Sequence, residues 1–156
     1  MMDEAGVWTR IESLYRERFP QFVRVARAVT GEREAALEAV QEGFADALRH
    51  ATKWDGRGSL EGWVWRCVVN RARKARQRPA PELPADGNGS AGHDAELRAR
   101  LAALPERQRL VVFLRYFADL EYREIGVALG IEVGTVSATL HAAHARLRAT
   151  YEEVSA

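Results

Sequence analysis

The sequence predicts an all-α protein made of two small helical domains joined by a flexible linker. Three observations predict it. Apolar residues recur at helical spacing along most of the chain, and no stretch of useful length alternates as a strand does. Residues 79–94, PAPELPADGNGSAGHD, hold three Pro and three Gly with few apolar side chains, so they cannot bury enough surface to fold. The residues on either side carry separate apolar patterns. The expected organisation is a first module at 1–78, a linker at 79–95 and a second module at 96–156.

In the first module, Ile11, Leu14, Phe22, Val25 and Val29 form one helical stripe. Pro20 is expected to start a fresh helix, because Pro suits a first turn and breaks an interior one. Thr30-Gly31 ends that element. Ala36, Val40, Phe44, Ala47 and Leu48 mark a second long helix. Asp55-Gly56-Arg57-Gly58 reads as a turn, and Ser59 caps a third helix. That helix should bury Leu60, Trp63, Val64, Cys67 and Val68.

In the second module, Leu97, Leu101 and Leu104 mark one helix, and Pro105 opens the next over Leu110, Val111, Leu114 and Phe117. Residues 120–148 then read as a helix-turn-helix, a motif that lays its second helix in the major groove of DNA. Ile125, Ala128 and Leu129 belong to its first helix. Val133, Val136, Leu140, Ala143 and Leu147 belong to its second. Gly130 suits the left-handed turn between them, and Gly126 is expected to let the two helices cross closely.

Bulk properties narrow the function. No apolar run approaches the roughly 20 residues of a membrane span. The start, MMDEAGVWTRIE, lacks the basic and apolar regions of a signal peptide, so a cytoplasmic location is expected. The single cysteine, Cys67, lies in an apolar stretch and reads as a buried structural thiol rather than a redox sensor. There is no zinc spacing, phosphate-binding Gly loop or HExxH, so no catalytic residue, metal or cofactor is expected. His141 and His144 would need a third ligand to hold a metal, and read instead as polar contacts.

Net charge is +1, but residues 1–78 hold 15 basic against 11 acidic side chains (+4), and residues 79–156 hold 8 against 11 (−3). The obvious DNA motif thus lies in the acidic half, and Val133 to Ala145 contain no Lys or Arg at all. The cations gather elsewhere. Arg66, Arg71, Arg73, Lys74, Arg76 and Arg78 fall within 13 residues, with no acid among them. At 100° per residue, Arg66, Asn70, Arg73, Lys74 and Gln77 share one side of the third helix, with Trp63 at its edge and Trp65 and Val69 flanking the other. Guanidinium groups neutralise phosphates and indoles stack on unpaired bases, so this side suits nucleic acid. The loop before it, Lys53 to Ser59, has glycines that allow close backbone approach, with Lys53, Trp54, Arg57 and Ser59 placed to hold a flipped base. By spacing alone, Glu38, Gln41, Glu42, Asp46 and Arg49 on the second helix form a solvated face.

The order of these pieces carries a resemblance. A helix with QEGF is followed by a Gly-rich loop, a helix with WVWRCVVNRARKARQR, a linker, and LPERQRLVVFLRYFADLEYREIGVALGIEVGTV. This resembles a bacterial extracytoplasmic-function (ECF, group 4) sigma factor over roughly residues 10–148, with region 2 joined directly to region 4. The resemblance implies a DNA-binding factor that brings RNA polymerase core to promoters and opens them, with no chemistry of its own. It implies that Glu38, Gln41, Glu42 and Phe44 meet the clamp helices of the largest polymerase subunit. It assigns −10 DNA to Lys53, Trp54, Arg57, Ser59, Trp63, Arg66, Asn70, Arg71, Arg73 and Lys74. Leu104 to Phe117 match helices near the β flap. Gly134, Thr135, Val136, Ser137, Thr139, His141 and Arg146 fall to the −35 element. An anti-sigma protein is an expected partner.

Three positions depart from the family pattern. Leu37-Glu38 replaces a Glu-Asp pair, Glu121 replaces the usual Ser cap, and the basic residues that commonly follow GTV are missing. The last departure predicts weak −35 binding with a shallow salt dependence. The competing reading is a free-standing helix-turn-helix regulator, which would bind duplex DNA tightly without polymerase.

Overall fold

The computed structural model describes residues 3–76 and 93–155. Among them are seven α-helices, one short 3-10 turn (Ala51–Lys53) and no strand. The helices are α1 (Glu4–Thr30), α2 (Arg33–Arg49), α3 (Leu60–Ala75), α4 (His93–Ala103), α5 (Glu106–Tyr116), α6 (Tyr122–Leu129) and α7 (Val133–Ser155). The predicted linker lies outside the described residues, apart from its last positions, 93–95, which already belong to α4.

α1 corrects the expectation at Pro20. The helix runs unbroken from Glu4 to Thr30 with Pro20 inside it. Pro20 removes one backbone donor, yet Val7 and Ile11 before it and Phe22, Val25 and Val29 after it enter the same core. Burial on both sides holds the two halves in line and offsets the lost bond. The Asp3 carboxylate accepts the Gly6 N–H at 2.9 Å to start the helix, and Gly31, at φ 82°, ends it.

α1, α2 and α3 close around an aromatic cluster. Phe22 stacks on Trp65 at 3.8 Å, and Phe44 meets both Phe22 (4.8 Å) and Tyr15 (5.1 Å) edge-on. Trp65 and Val69 are therefore fully buried, whereas Trp63 and Cys67, expected on the buried face, are only half-buried. The buried stripe is turned toward Trp65 because Phe22, itself backed by Phe44, offers it a flat aromatic surface.

In the second module, α5, α6 and α7 bury Leu110, Leu114, Ile125, Val136 and Leu140. Arg109 lies under the α4–α5 corner, where it donates to the carbonyls of Ala102 and Leu104, both at 3.2 Å. It thereby satisfies orphan acceptors at the end of α4. Gly130 adopts φ 68° at the turn into α7. Gly126 has a different reason from the one expected. A side-chain carbon there would stand 2.8 Å from the Ile131 carbonyl oxygen, so it makes room for the turn's own backbone.

The two modules lie against each other. A side-chain carbon on Gly62 of α3 would stand 2.9 Å from the Glu124 carbonyl oxygen and 3.1 Å from Val127 Cβ of α6. The absent side chain lets α3 and α6 approach this closely. On the far side, Arg18 of α1 donates to the Ala118 carbonyl at 2.9 Å, and Arg24 lies over the Phe117 ring at 5.0 Å.

Candidate nucleic-acid interface

The cationic side of α3 is built by the opposite side of the same helix. Leu60, Val64, Trp65, Val68, Val69 and Ala72 are sunk into the core, which fixes the helix rotation. Arg66, Asn70 and Lys74 are thereby turned to solvent, and Arg73 is half-exposed. Ser59 starts the helix, its hydroxyl accepting the Gly62 N–H at 3.0 Å. The preceding loop is set by Gly56 (φ 81°), Gly58 (φ 72°) and the Asp55 carboxylate, which accepts the Arg57 N–H at 2.9 Å. Lys53 and Arg57 are exposed and Trp54 is half-buried. The structure thus sets loop and helix side by side, with Lys53, Arg57, Arg66 and Lys74 exposed.

Arg71 leaves that surface. Its guanidinium turns back to α2, bonding Asp46 through Nη2 at 2.9 Å and through Nε at 2.5 Å, and reaching Glu42 at 3.3 Å. The Arg71 fork holds the Asp46 carboxyl below its ordinary value, against the opposing effect of burial. Arg71, expected among the DNA contacts, is in this structure a strut between α2 and α3.

The expected polymerase contacts divide between two clefts. Glu38 and Glu42 line one of about 620 Å³, beside Arg71 and Lys74. Gln41 and Phe44 line an apolar groove of about 390 Å³ between α1 and α2, walled also by Trp8, Ile11, Tyr15 and Leu48. Phe44 is only 4% exposed, so it is a core residue whose edge floors the groove. Trp8, 47% exposed at the rim, was not singled out in the sequence, because a lone apolar residue near a terminus gives no periodic signal.

On α7, Gly134, Ser137, His141 and Arg146 are exposed, and Thr135 and Thr139 are half-buried. Val136 is fully buried, which corrects its place among the −35 contacts: it anchors the reading helix on α6. His144 is held at 2.9 Å by the Tyr116 hydroxyl. Among the described residues no group of three His, Cys, Asp or Glu is placed to hold a metal ion. None of the described helices is by itself long and apolar enough to cross a membrane.

This geometry meets its counterparts in known proteins. The sigma-70 region 2 family matches residues 14–80, and the sigma-70 region 4 family matches residues 94–147. The RNA polymerase sigma-E factor of Streptomyces avermitilis is 31% identical over 160 residues, covering 94% of this chain and 88% of that one. The chain belongs to the extracytoplasmic-function sigma factors. The ECF sigma factor SigE of Mycolicibacterium smegmatis is 30% identical over 88% of this chain, which spans 60% of that protein's length. Two solved structures share the fold. CnrH, in complex with the cytosolic domain of CnrY, superposes with a TM-score of 0.74 at 20% identity, covering 96% of this chain and 95% of that one. RpoE of Bartonella quintana, in complex with the anti-sigma factor NepR, gives 0.68 at 17%, covering 90% and 96%. As an ECF sigma factor, the protein serves RNA polymerase in promoter recognition.

Two acids of this sigma factor escaped the sequence reading. Glu124 accepts the Glu121 N–H at 2.9 Å through one carboxylate oxygen and the Ser59 hydroxyl at 3.0 Å through the other. Glu106 lies 3.1 Å from Arg73 Nε and is also paired with Arg76. Both read locally as helix-start residues, and nothing in sequence spacing links position 106 to 73 or 124 to 59.

Proposed function

We propose that residues 1–78 bind polymerase core and the −10 element and that the second module, from α4 onward, forms a −35 arm. The cationic face of α3 carries this reading: Arg66, Asn70, Arg73 and Lys74 stand opposite a deeply buried stripe. Phosphates of the separated strand would be neutralised there, while Trp63 and the loop residues Lys53, Trp54, Arg57 and Ser59 receive an unstacked base. Strand opening follows when base stacking is exchanged for these contacts. The sigma factor supplies recognition, and nucleotidyl transfer belongs to the polymerase, which places its work in the cytoplasm.

Polymerase contact is assigned to Glu38, Gln41 and Glu42 on α2, with the Trp8 groove as its apolar continuation. The α4–α5 corner is assigned to the β flap. Gly134, Ser137, Thr139, His141 and Arg146 form the −35 reading surface, with Thr135 behind them. Two fold neighbours were solved with anti-sigma proteins or a partner's cytosolic domain, which supports an anti-sigma partner here.

The test is reconstitution with core polymerase and a promoter library, with transcript starts mapped. Specific initiation that needs core is expected. Tight duplex binding without core, and no transcripts with it, would contradict the proposal and favour a free-standing regulator.

A further inference from the structure

The reading helix has no fixed cation in its first turns, but it holds side chains that can become cations. From Val133 to Ala145 the only chargeable groups are His141 and His144. The structure places them differently. His144 is half-buried against α5: its Nε2 lies 2.9 Å from the Tyr116 hydroxyl, and the two rings stack at 5.8 Å. His141 is exposed, and among the described residues nothing bonds to it. At 100° per residue, Gly134, Ser137, Ala138, His141 and Ala145 share one exposed stripe, which Arg148 continues two turns later. Val136, Leu140 and Ala143, on the other side, are buried where α4, α5 and α6 pack. Charged groups on those elements are engaged elsewhere. Arg100 pairs with Glu96, Arg109 holds the Ala102 and Leu104 carbonyls, Arg115 reaches the Leu120 carbonyl, and Glu124 holds Ser59. The acid nearest to His141 along the chain, Glu132, precedes the helix.

We propose that His141 is a proton-gated DNA contact, the residue that sets how tightly the −35 arm holds duplex DNA as pH changes. This rests on the reading of α7 as the −35 helix. Imidazole is the side chain whose charge changes between pH 5 and 8. In its neutral form it has one donor and one acceptor nitrogen and neutralises no phosphate. In its protonated form both nitrogens donate, and a full positive charge stands in the middle of a stripe that otherwise has none before Arg148. The acceptors of duplex DNA, above all the phosphate oxygens, suit that form. A lysine or arginine here would supply the contact at every pH, whereas His141 supplies it only on acidification. Proton and DNA therefore favour each other's binding to the same helix. His144 is not placed to serve in this way, because its ring is turned onto Tyr116. Arg146 and Arg148 keep their charge throughout this range, so the change belongs to His141.

The experiment titrates the full chain with a labelled mixed-sequence DNA duplex, from about pH 8 to about pH 5.5 and at several salt concentrations. A phosphate contact is independent of sequence, so this probe reads it. The wild type is compared with His141→Gln, His141→Arg and His144→Gln, and thermal melts at both ends of the pH range confirm that each is folded. The wild type should bind about threefold to tenfold more tightly at the acidic end, with a log–log salt slope steeper by about 0.9. His141→Gln should lose that gain and His144→Gln should keep it. His141→Arg should bind at both ends as tightly as the acidified wild type. A wild-type affinity that ignores pH, or a gain that His141→Gln retains in full, overturns the proposal. If His141→Arg nevertheless binds more tightly than the wild type at about pH 8, the −35 reading of α7 stands and only the role of His141 falls. If His141→Arg changes nothing at either end, that reading falls with it.

Discussion

Neighbouring side chains on α3 have different work because they face different surroundings. Burial pushes the Cys67 thiol up to about 11, and the nearby Asp46 charge adds to the shift. Its thiolate fraction at neutral pH should be about a hundredfold below that of an ordinary cysteine, so labelling by a thiol reagent should be slower by about that factor until the protein unfolds. Rapid labelling of the native protein would contradict this environment. Asp46 has the opposite shift, held below 3.8 by Arg71. A depressed folded value means that the pair's contribution is complete above pH 3.8 and is lost as pH falls through the lowered value. Asp46→Asn should lower the melting temperature by a few degrees at neutral pH and by much less in strong acid, as read by circular dichroism. The cations of α3 were legible in the sequence, but their division was not. Arg71 differs from Arg73 only by its neighbours on α2, and Trp65 differs from Trp63 by the aromatic ring of Phe22 on which it stacks.

At the scale of elements, the reading helix is the departure that matters most. Val133, Gly134, Ser137, Ala138, His141 and Ala142 form the exposed side of its first turns, and none is a lysine or arginine; its exposed cations, Arg146 and Arg148, come only later along the helix. Such a surface would suit bases and thymine methyls but would neutralise few phosphates. Ala138→Arg should strengthen binding to −35 duplex and steepen the log–log salt dependence by about 0.9, measured by titration at several salt concentrations. An unchanged slope would mean that this side of α7 does not face the DNA backbone. The helices themselves were largely readable from apolar spacing and from caps such as Ser59, Pro105 and Gly130. Pro20 misled, because a local rule about helix breaking gave way to burial on both sides of it. The packing of α6 on α3 was illegible for another reason. It depends on the missing side chain of Gly62 and on Glu124 reaching Ser59, and contacts 65 residues apart leave no periodic trace.

For the whole molecule, the weak reading helix and the strong cationic α3 fit a grip distributed over two sites. In the proposed reading, polymerase would hold the factor, α7 would contribute a modest −35 contact, and α3 with its loop would do the opening. The two-module division and the resemblance to ECF sigma factors were both legible in the sequence, because each rests on order and composition. How the modules meet was not, since the acidic half gains its meaning only when Glu106 and Glu124 are seen against Ser59, Arg73 and Arg76. The most direct measurement is permanganate reactivity of −10 thymines in the reconstituted complex on a promoter the factor uses. Wild type should render those thymines reactive. Trp63→Ala with Arg66→Ala should abolish the reactivity while binding to core polymerase survives, and undiminished strand opening by that variant would contradict the account.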